Sequence, residues 1–233
     1  QDENTDKVLA KLVEVEGFID DIVASDITAH PAYPWFSRVK GIGRENIGKV
    51  VGLIDITRAP MISSLWKFAG FHVVNGHSPK REKGQKLEYN SQLRTMCWRL
   101  AICLIKANGK YSDFYRQQKQ ALVDRYTQQG MKIIPALELP TDAKGRRYEP
   151  EGVISVGHLA NQAQRKMVKL FLSHLWLGWR QAEGLPIREP YVQEYRGHTS
   201  IISPEEMLDK PAKVRKGRQR RAVAEVPQIG AAI

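Results

Sequence analysis

Residues 156–183 limit the possible folds of this chain more than any other stretch. They carry Met167, Val168, Leu170, Phe171, Leu172, Leu175, Trp176 and Trp179 at helical spacing. That is too apolar for a helix with only one face on a core. The segment has to lie inside, with the rest of the chain laid around it. Gly184 and Pro186 mark its end.

The surrounding segments are also helical in pattern. Over residues 5–27, Val8, Leu9, Leu12, Val15, Ile19, Ile22 and Val23 recur every three or four residues. The prolines of HPAYPWF, residues 30–36, end that helix. A short helix at 35–39, another from Glu45 to Ile54 and a Pro-started one in PMISSLWKFAG follow. Asn90 is placed to cap a helix whose buried stripe is Leu93, Met96, Cys97, Leu100, Ala101, Leu104 and Ile105. A further helix spans 112–129. Phe71, Val73 and Val74 before Asn75-Gly76 predict a small β-hairpin. The fold class is therefore mainly α, with at most that hairpin. The predicted organisation is an acidic helix over 1–34, a helical domain over 35–130 and a Pro/Gly-rich connection over 131–155. The core helix and its extension follow over 156–203, and a disordered basic tail over 204–233.

Length and composition fit this plan. The chain has 233 residues, 42% of them hydrophobic, enough to bury a core. No apolar run approaches the roughly 20 residues that cross a bilayer, and the acidic opening residues do not read as a secretory signal. Cys97 and Cys103, the two cysteines, fit neither a zinc site nor a disulfide framework. A reduced, cytoplasmic and nucleoid-associated setting is expected, with no membrane contact.

Charge points to the partner. The formal net charge is +11. Eight acids lie in residues 1–30, against Lys7 and Lys11, whereas residues 38–119 hold sixteen Lys/Arg against five Asp/Glu. KPAKVRKGRQRR, residues 210–221, has seven basic residues and no acid. Such blocks attract polyanions. DNA is the expected partner, with structured RNA as the alternative, and the chain is expected to act as a homo-oligomer or within a larger complex.

Within the basic region stands VKGIGRENIGKVVGLID, residues 39–55. Apolar-Gly-apolar-Gly between two short helices predicts a helix-hairpin-helix. The glycines let the backbone approach a ligand, and the second helix offers free N–H groups to a phosphate. Lys40, Gly41, Ile42, Gly43, Arg44 and Lys49 are the predicted contacts. Lys80, Arg81, Lys83 and Lys86 of the loop after the hairpin, Arg94 on the next helix, and Lys213, Arg215, Lys216, Arg218, Arg220 and Arg221 of the tail complete the predicted phosphate-binding set.

Residues 39–105 resemble the C-terminal domain of the DEDD-type insertion-sequence transposases, the bridge-RNA-guided recombinases. The resemblance rests on GIG at 41–43, LIDITRAPMISSLWKFAGF at 53–71, HSPKREKGQK at 77–86 and NSQLRTMCW at 90–98. It implies DNA binding and a mobile-element origin, in a stand-alone form without the RuvC-like nuclease half, since the 38 residues before the hairpin read as helix. It also implies a serine nucleophile in the loop, and Ser78 is the nearest match. A recombining serine needs a nearby base and cations at the phosphoryl oxygens. His77, Lys80, Arg81, Lys83 and Lys86 are the neighbours available in sequence. A serine that only contacts phosphate is the preferred reading. The histidines His72, His77, His158, His174 and His198 show no helical metal-site spacing, so no metal and no cofactor is expected.

Overall fold

A computed structural model describes residues 2–74, 76–79, 84–187 and 202–209. Among these the fold is mainly α, with seven α-helices and one two-stranded sheet. The helices are α1 (Glu3–Ala29), α2 (Tyr33–Phe36), α3 (Arg44–Val51), α4 (Ile62–Phe68), α5 (Ser91–Lys106), α6 (Lys110–Gln128) and α7 (Val156–Ala182).

Helix α7 is the centre of the fold. Met167, Val168, Phe171, Leu172, Leu175, Trp176 and Trp179 are all buried, and the helix packs against α4, α5 and α6. Its N-terminus is capped by Ser155, whose Oγ accepts from His158 N–H at 3.1 Å. At its other end Arg180 is buried without a carboxylate partner among the described residues. Its guanidinium donates instead to the carbonyls of Ile56, Ala59 and Pro186 at 2.8–3.1 Å. Those bonds tie the turn Ile56–Arg58 to the end of α7. Asn90 caps α5 as its sequence position predicts, accepting from Leu93 N–H at 3.0 Å.

Three stretches differ from the sequence reading. The connection 131–155 carries both strands, β1 (Lys132–Ile134) and β2 (Val153–Ser155), paired in parallel with Ile133 opposite Ile154. Each strand has three residues, too short for a periodic pattern to emerge. They close a small second core of Leu122, Ile154, Leu159 and Ala163. The predicted hairpin at 71–77 is reduced to one antiparallel bridge, Val74 with His77, and Asn75 lies outside the described residues.

The third difference corrects the tail. It was predicted to be without structure from 204 onward, yet residues 204–209 are packed. A turn at Glu205–Met207 buries Met207. Trp35 Nε1 donates to Pro204 O at 3.3 Å, and His174 Nε2 donates to Ile202 O at 2.8 Å. Because a carbonyl only accepts, that bond fixes the His174 tautomer, so Tyr111 O–H donates to Nδ1 at 2.7 Å. Met207 is buried and Ile202 and Leu208 pack beside it on the same core, and composition averaged over the longer polar run hides these anchors.

His174 has a pH consequence. Burial lowers its pKa from the ordinary 6.5, and burial also lowers those of His30 and His72. His30 Nε2 and both His72 ring nitrogens are buried without a hydrogen-bond partner among the described residues. Folding therefore disfavours the protonation of three histidines that the unfolded chain protonates below about pH 6.5. The unfolded state binds more protons in that range, so stability is full above pH 6.5 and falls as pH drops through it. Thermal midpoints measured from pH 8 to 5 are expected to hold down to about 6.5 and then decline. A flat profile over the last unit would contradict this.

Candidate nucleic-acid interface

The loop after α4 is held by two arginines from different helices. Arg165 on α7 donates through Nη2 to Phe71 O at 2.8 Å and His72 O at 2.5 Å, and through Nη1 to Ser78 Oγ at 2.5 Å. One planar fork thus grips the chain on both sides of the Val74–His77 bridge. Arg94, in the first turn of α5, donates to Pro79 O at 3.0 Å and lies over the Tyr89 ring at 5.1 Å. Ser78, Arg94 and Arg165 line an open cavity of about 330 Å³ together with Trp98, His158, Asn161 and Gln162.

The cavity is electropositive and lacks a counter-charge. No ion pair forms to Arg94, Arg165 or Lys169 among the described residues. The carboxylate that contacts the lining residue His158 is already committed. Glu149 accepts from Ser155 N–H at 2.8 Å and meets His158 Nδ1 at 2.6 Å. Burial acts to raise the Glu149 pKa, but these hydrogen bonds outweigh it and leave the carboxyl below its ordinary value. Burial, then the Arg94 charge, lowers the Arg165 pKa. Burial, then the Arg165 charge, lowers that of Lys169, whose Nζ sits 3.9 Å from the centre of the Trp66 ring. Partly desolvated cations that repel one another gain most from a bound anion. Among the described residues no three His, Cys, Asp or Glu side chains converge as a metal site requires.

The hairpin lies at the other end of α5. Gly41 has φ +92, the left-handed conformation expected of a hairpin glycine. Its bare Cα faces α5, where an added Cβ would stand 2.6 Å from Ala107 Cβ and 2.9 Å from Cys103 O. Gly43 has φ −83 and forms the N-cap of α3 without a side-chain bond, and an added Cβ there meets nothing within 4 Å. The Lys40 N–H is engaged within the chain, donating to Asp209 Oδ2 at 2.7 Å. Asp209 Oδ1 accepts from Lys110 N–H at 2.8 Å, supplying the cap that Gly109 cannot give α6. Ile42 packs against the main core. Arg44 and Lys49 are exposed, and Lys49 pairs with Glu45 one turn back.

The predicted residues therefore fall into two groups. Lys40, Gly41, Ile42, Gly43, Arg44 and Lys49 surround the hairpin, while Ser78 and Arg94 share the cavity. Arg94 and Ala107 are thirteen residues apart on α5 and its cap, or about 20 Å at 1.5 Å per residue. Lys86 is exposed on the loop. Lys80, Arg81 and Lys83 lie outside the described residues, as do Lys213, Arg215, Lys216, Arg218, Arg220 and Arg221. Sequence reading missed Arg165, Lys169 and His158. The signal was present: His158, Gln162, Arg165 and Lys169 form a polar stripe at three- and four-residue spacing along the most apolar helix of the chain.

Comparison with known protein families, curated proteins and solved structures finds no match to this chain.

Proposed function

We propose that this chain is a transposase-derived DNA-binding protein that grips the phosphate backbone, with the cavity around Ser78, Arg94 and Arg165 as the centre of the grip. The observation that carries this reading is the uncompensated cluster of Arg94, Arg165 and Lys169, held partly out of water beside an exposed hydroxyl. Arginine forks suit phosphate oxygens. A cavity without acids and open to solvent suits a polyanion better than a neutral ligand. A duplex that also touched the hairpin would span about 20 Å, roughly six base pairs at 3.4 Å each. Contacts of this kind hold the backbone without reading base sequence.

A second reading makes Ser78 a nucleophile. It is favoured by the Arg165 cation at 2.5 Å from Ser78 Oγ, where it would stabilise charge on a transferring phosphoryl group. In that reaction Oγ bonds to phosphorus, the bond to one sugar oxygen breaks, and that oxygen leaves as a hydroxyl. Arg165 cannot take the serine proton, so binding without chemistry remains the first reading. Ser78→Ala then removes one hydrogen bond worth about 0.5–1.5 kcal/mol, and duplex affinity is expected to change by about tenfold or less. Denaturing electrophoresis after incubation with labelled DNA separates the two readings. A covalent adduct present in the parent and absent in Ser78→Ala would establish the second.

A further inference from the structure

Among the described residues, helix α1 leaves the body of the protein with its apolar side uncovered. Its C-terminal end is anchored: Ile27 is buried, and Val23 lies against α3, so that a Cβ on Gly48 would come within 2.7 Å of it. Beyond that point, Val8, Leu9, Leu12, Val13, Val15, Phe18, Ile19 and Ile22 are each 45–66% exposed. The helix does not account for itself by propensity. Gly17 sits in its middle, and Val13, Val15, Ile19, Ile22 and Val23 are β-branched. A free helix of that composition is marginal in water, and tertiary packing is what stabilises such helices.

The pattern of the uncovered side defines what covers it. Val8, Leu12, Val15, Ile19 and Ile22 follow alternating spacings of four and three, which is the seam of a coiled coil. With Leu12 and Ile19 at a and Val8, Val15 and Ile22 at d, Lys11 falls at g and Glu16 at the following e. In parallel copies of the same helix, g of one strand faces the next e of its neighbour. Lys11 of each copy then meets Glu16 of the other. Antiparallel pairing about Leu12 and Val15 sets Lys11 against Phe18 and Glu16 against Leu9, and pairing one heptad along sets Glu16 against Glu16. Lys11 currently touches Glu14 at 2.7 Å, an exposed contact worth little and readily exchanged.

The remaining surface of α1 argues against other occupants. Glu3, Asp6, Glu14, Glu16, Asp20, Asp21 and Asp26 outnumber Lys7 and Lys11. That balance repels anionic lipid and nucleic acid alike. We infer that α1 self-associates, joining copies of this chain through a parallel coiled coil over residues 5–22. Branched side chains at d shift the preference toward more than two strands, so the assembly expected is a dimer or a larger parallel bundle. The phosphate-binding bodies would then be carried side by side at the C-terminal ends of the joined helices.

Sedimentation equilibrium of the full chain tests this. A mass of two or more protomers is expected, and a monomer at tens of micromolar, roughly the working range of specific weak association, overturns the proposal. Leu12→Asp with Ile19→Asp is expected to give monomer whose body stays folded, its thermal midpoint lowered only by the linkage lost with association, since neither residue is in the core. A monomer whose midpoint also collapses would overturn it by showing that α1 packs on its own body. Lys11→Glu and Glu16→Lys alone are each expected to weaken association roughly tenfold, from two lost attractions and two new repulsions of a few tenths of a kcal/mol each. Mixing the two variants is expected to restore it, because each strand then meets an opposite charge. Association unaffected by these charges, or binding of monomer to vesicles of phosphatidylcholine and phosphatidylserine, overturns the parallel pairing.

Discussion

Arg165→Met is expected to lower duplex affinity by about a hundredfold, the largest loss from any single side chain here. Two effects add. A hydrogen bond to a charged group contributes roughly 1.5–3 kcal/mol, or about ten- to a hundredfold or slightly more. The same guanidinium also holds the carbonyls of Phe71 and His72 and the hydroxyl of Ser78, so its loss frees the loop that shapes the cavity. The two effects have different signatures. Removing a phosphate contact lowers the slope of log affinity against log salt by about 0.9 on B-DNA. Releasing the loop lowers affinity at every salt concentration alike. Arg165→Lys keeps the charge but loses the fork, and is expected to retain the slope while losing part of the affinity. A folded Arg165→Met protein with parental affinity would remove the cavity from the interface.

Much of the helical frame was legible because it rests on local rules. The apolar density of 167–179 required a buried helix, and α7 is buried there. The capping residue Asn90 and the stops at Gly70, Gly130 and Gly184 fall where α5 begins and α4, α6 and α7 end. What was not legible depends on contacts far apart in sequence. Asp209 caps α6 and binds the hairpin amide of Lys40 across 99 and 169 residues, and no local pattern marks it. The parallel strands pair across an intervening loop of eighteen residues, 135–152, which the proline and glycine content makes look like a linker. Arg165 went unnoticed for a different reason. The apolar face of α7 dominated the reading of its sequence, and the polar stripe on the same helix is the part that reaches the cavity. Apolar periodicity also showed that α1 is amphipathic without showing whether its apolar side is covered by the same chain. Among the described residues it is not.

The two hairpin glycines are expected to respond in opposite ways, although the sequence presents them as a matched pair. Gly41→Ala is expected to destabilise the fold by about 2–5 kcal/mol. A side chain at φ +92 costs about 1–2 kcal/mol, and overpacking against a helix adds roughly 1–3. The added atom would stand 2.6 Å from Ala107 Cβ, 2.9 Å from Cys103 O and 3.1 Å from Leu104 Cα. Two of those three are backbone atoms of α5 and cannot turn aside. Gly43→Ala meets nothing and needs no unusual backbone. It replaces one N-cap residue by a poorer one and is expected to cost about 1 kcal/mol or less. Urea denaturation of the two variants checks this order, and equal losses would mean that the hairpin does not pack against α5 as described. The contrast also decides how the hairpin can be tested for DNA contact. Binding lost in Gly41→Ala carries no information, because the fold is disturbed. Gly43→Val leaves the α5 contact intact and places bulk beside the uncapped first turn of α3. Weaker duplex binding by this folded variant is the expected result for a hairpin that meets phosphate, and an unchanged dissociation constant would confine the interface to the far end of α5, around Arg94 and Arg165.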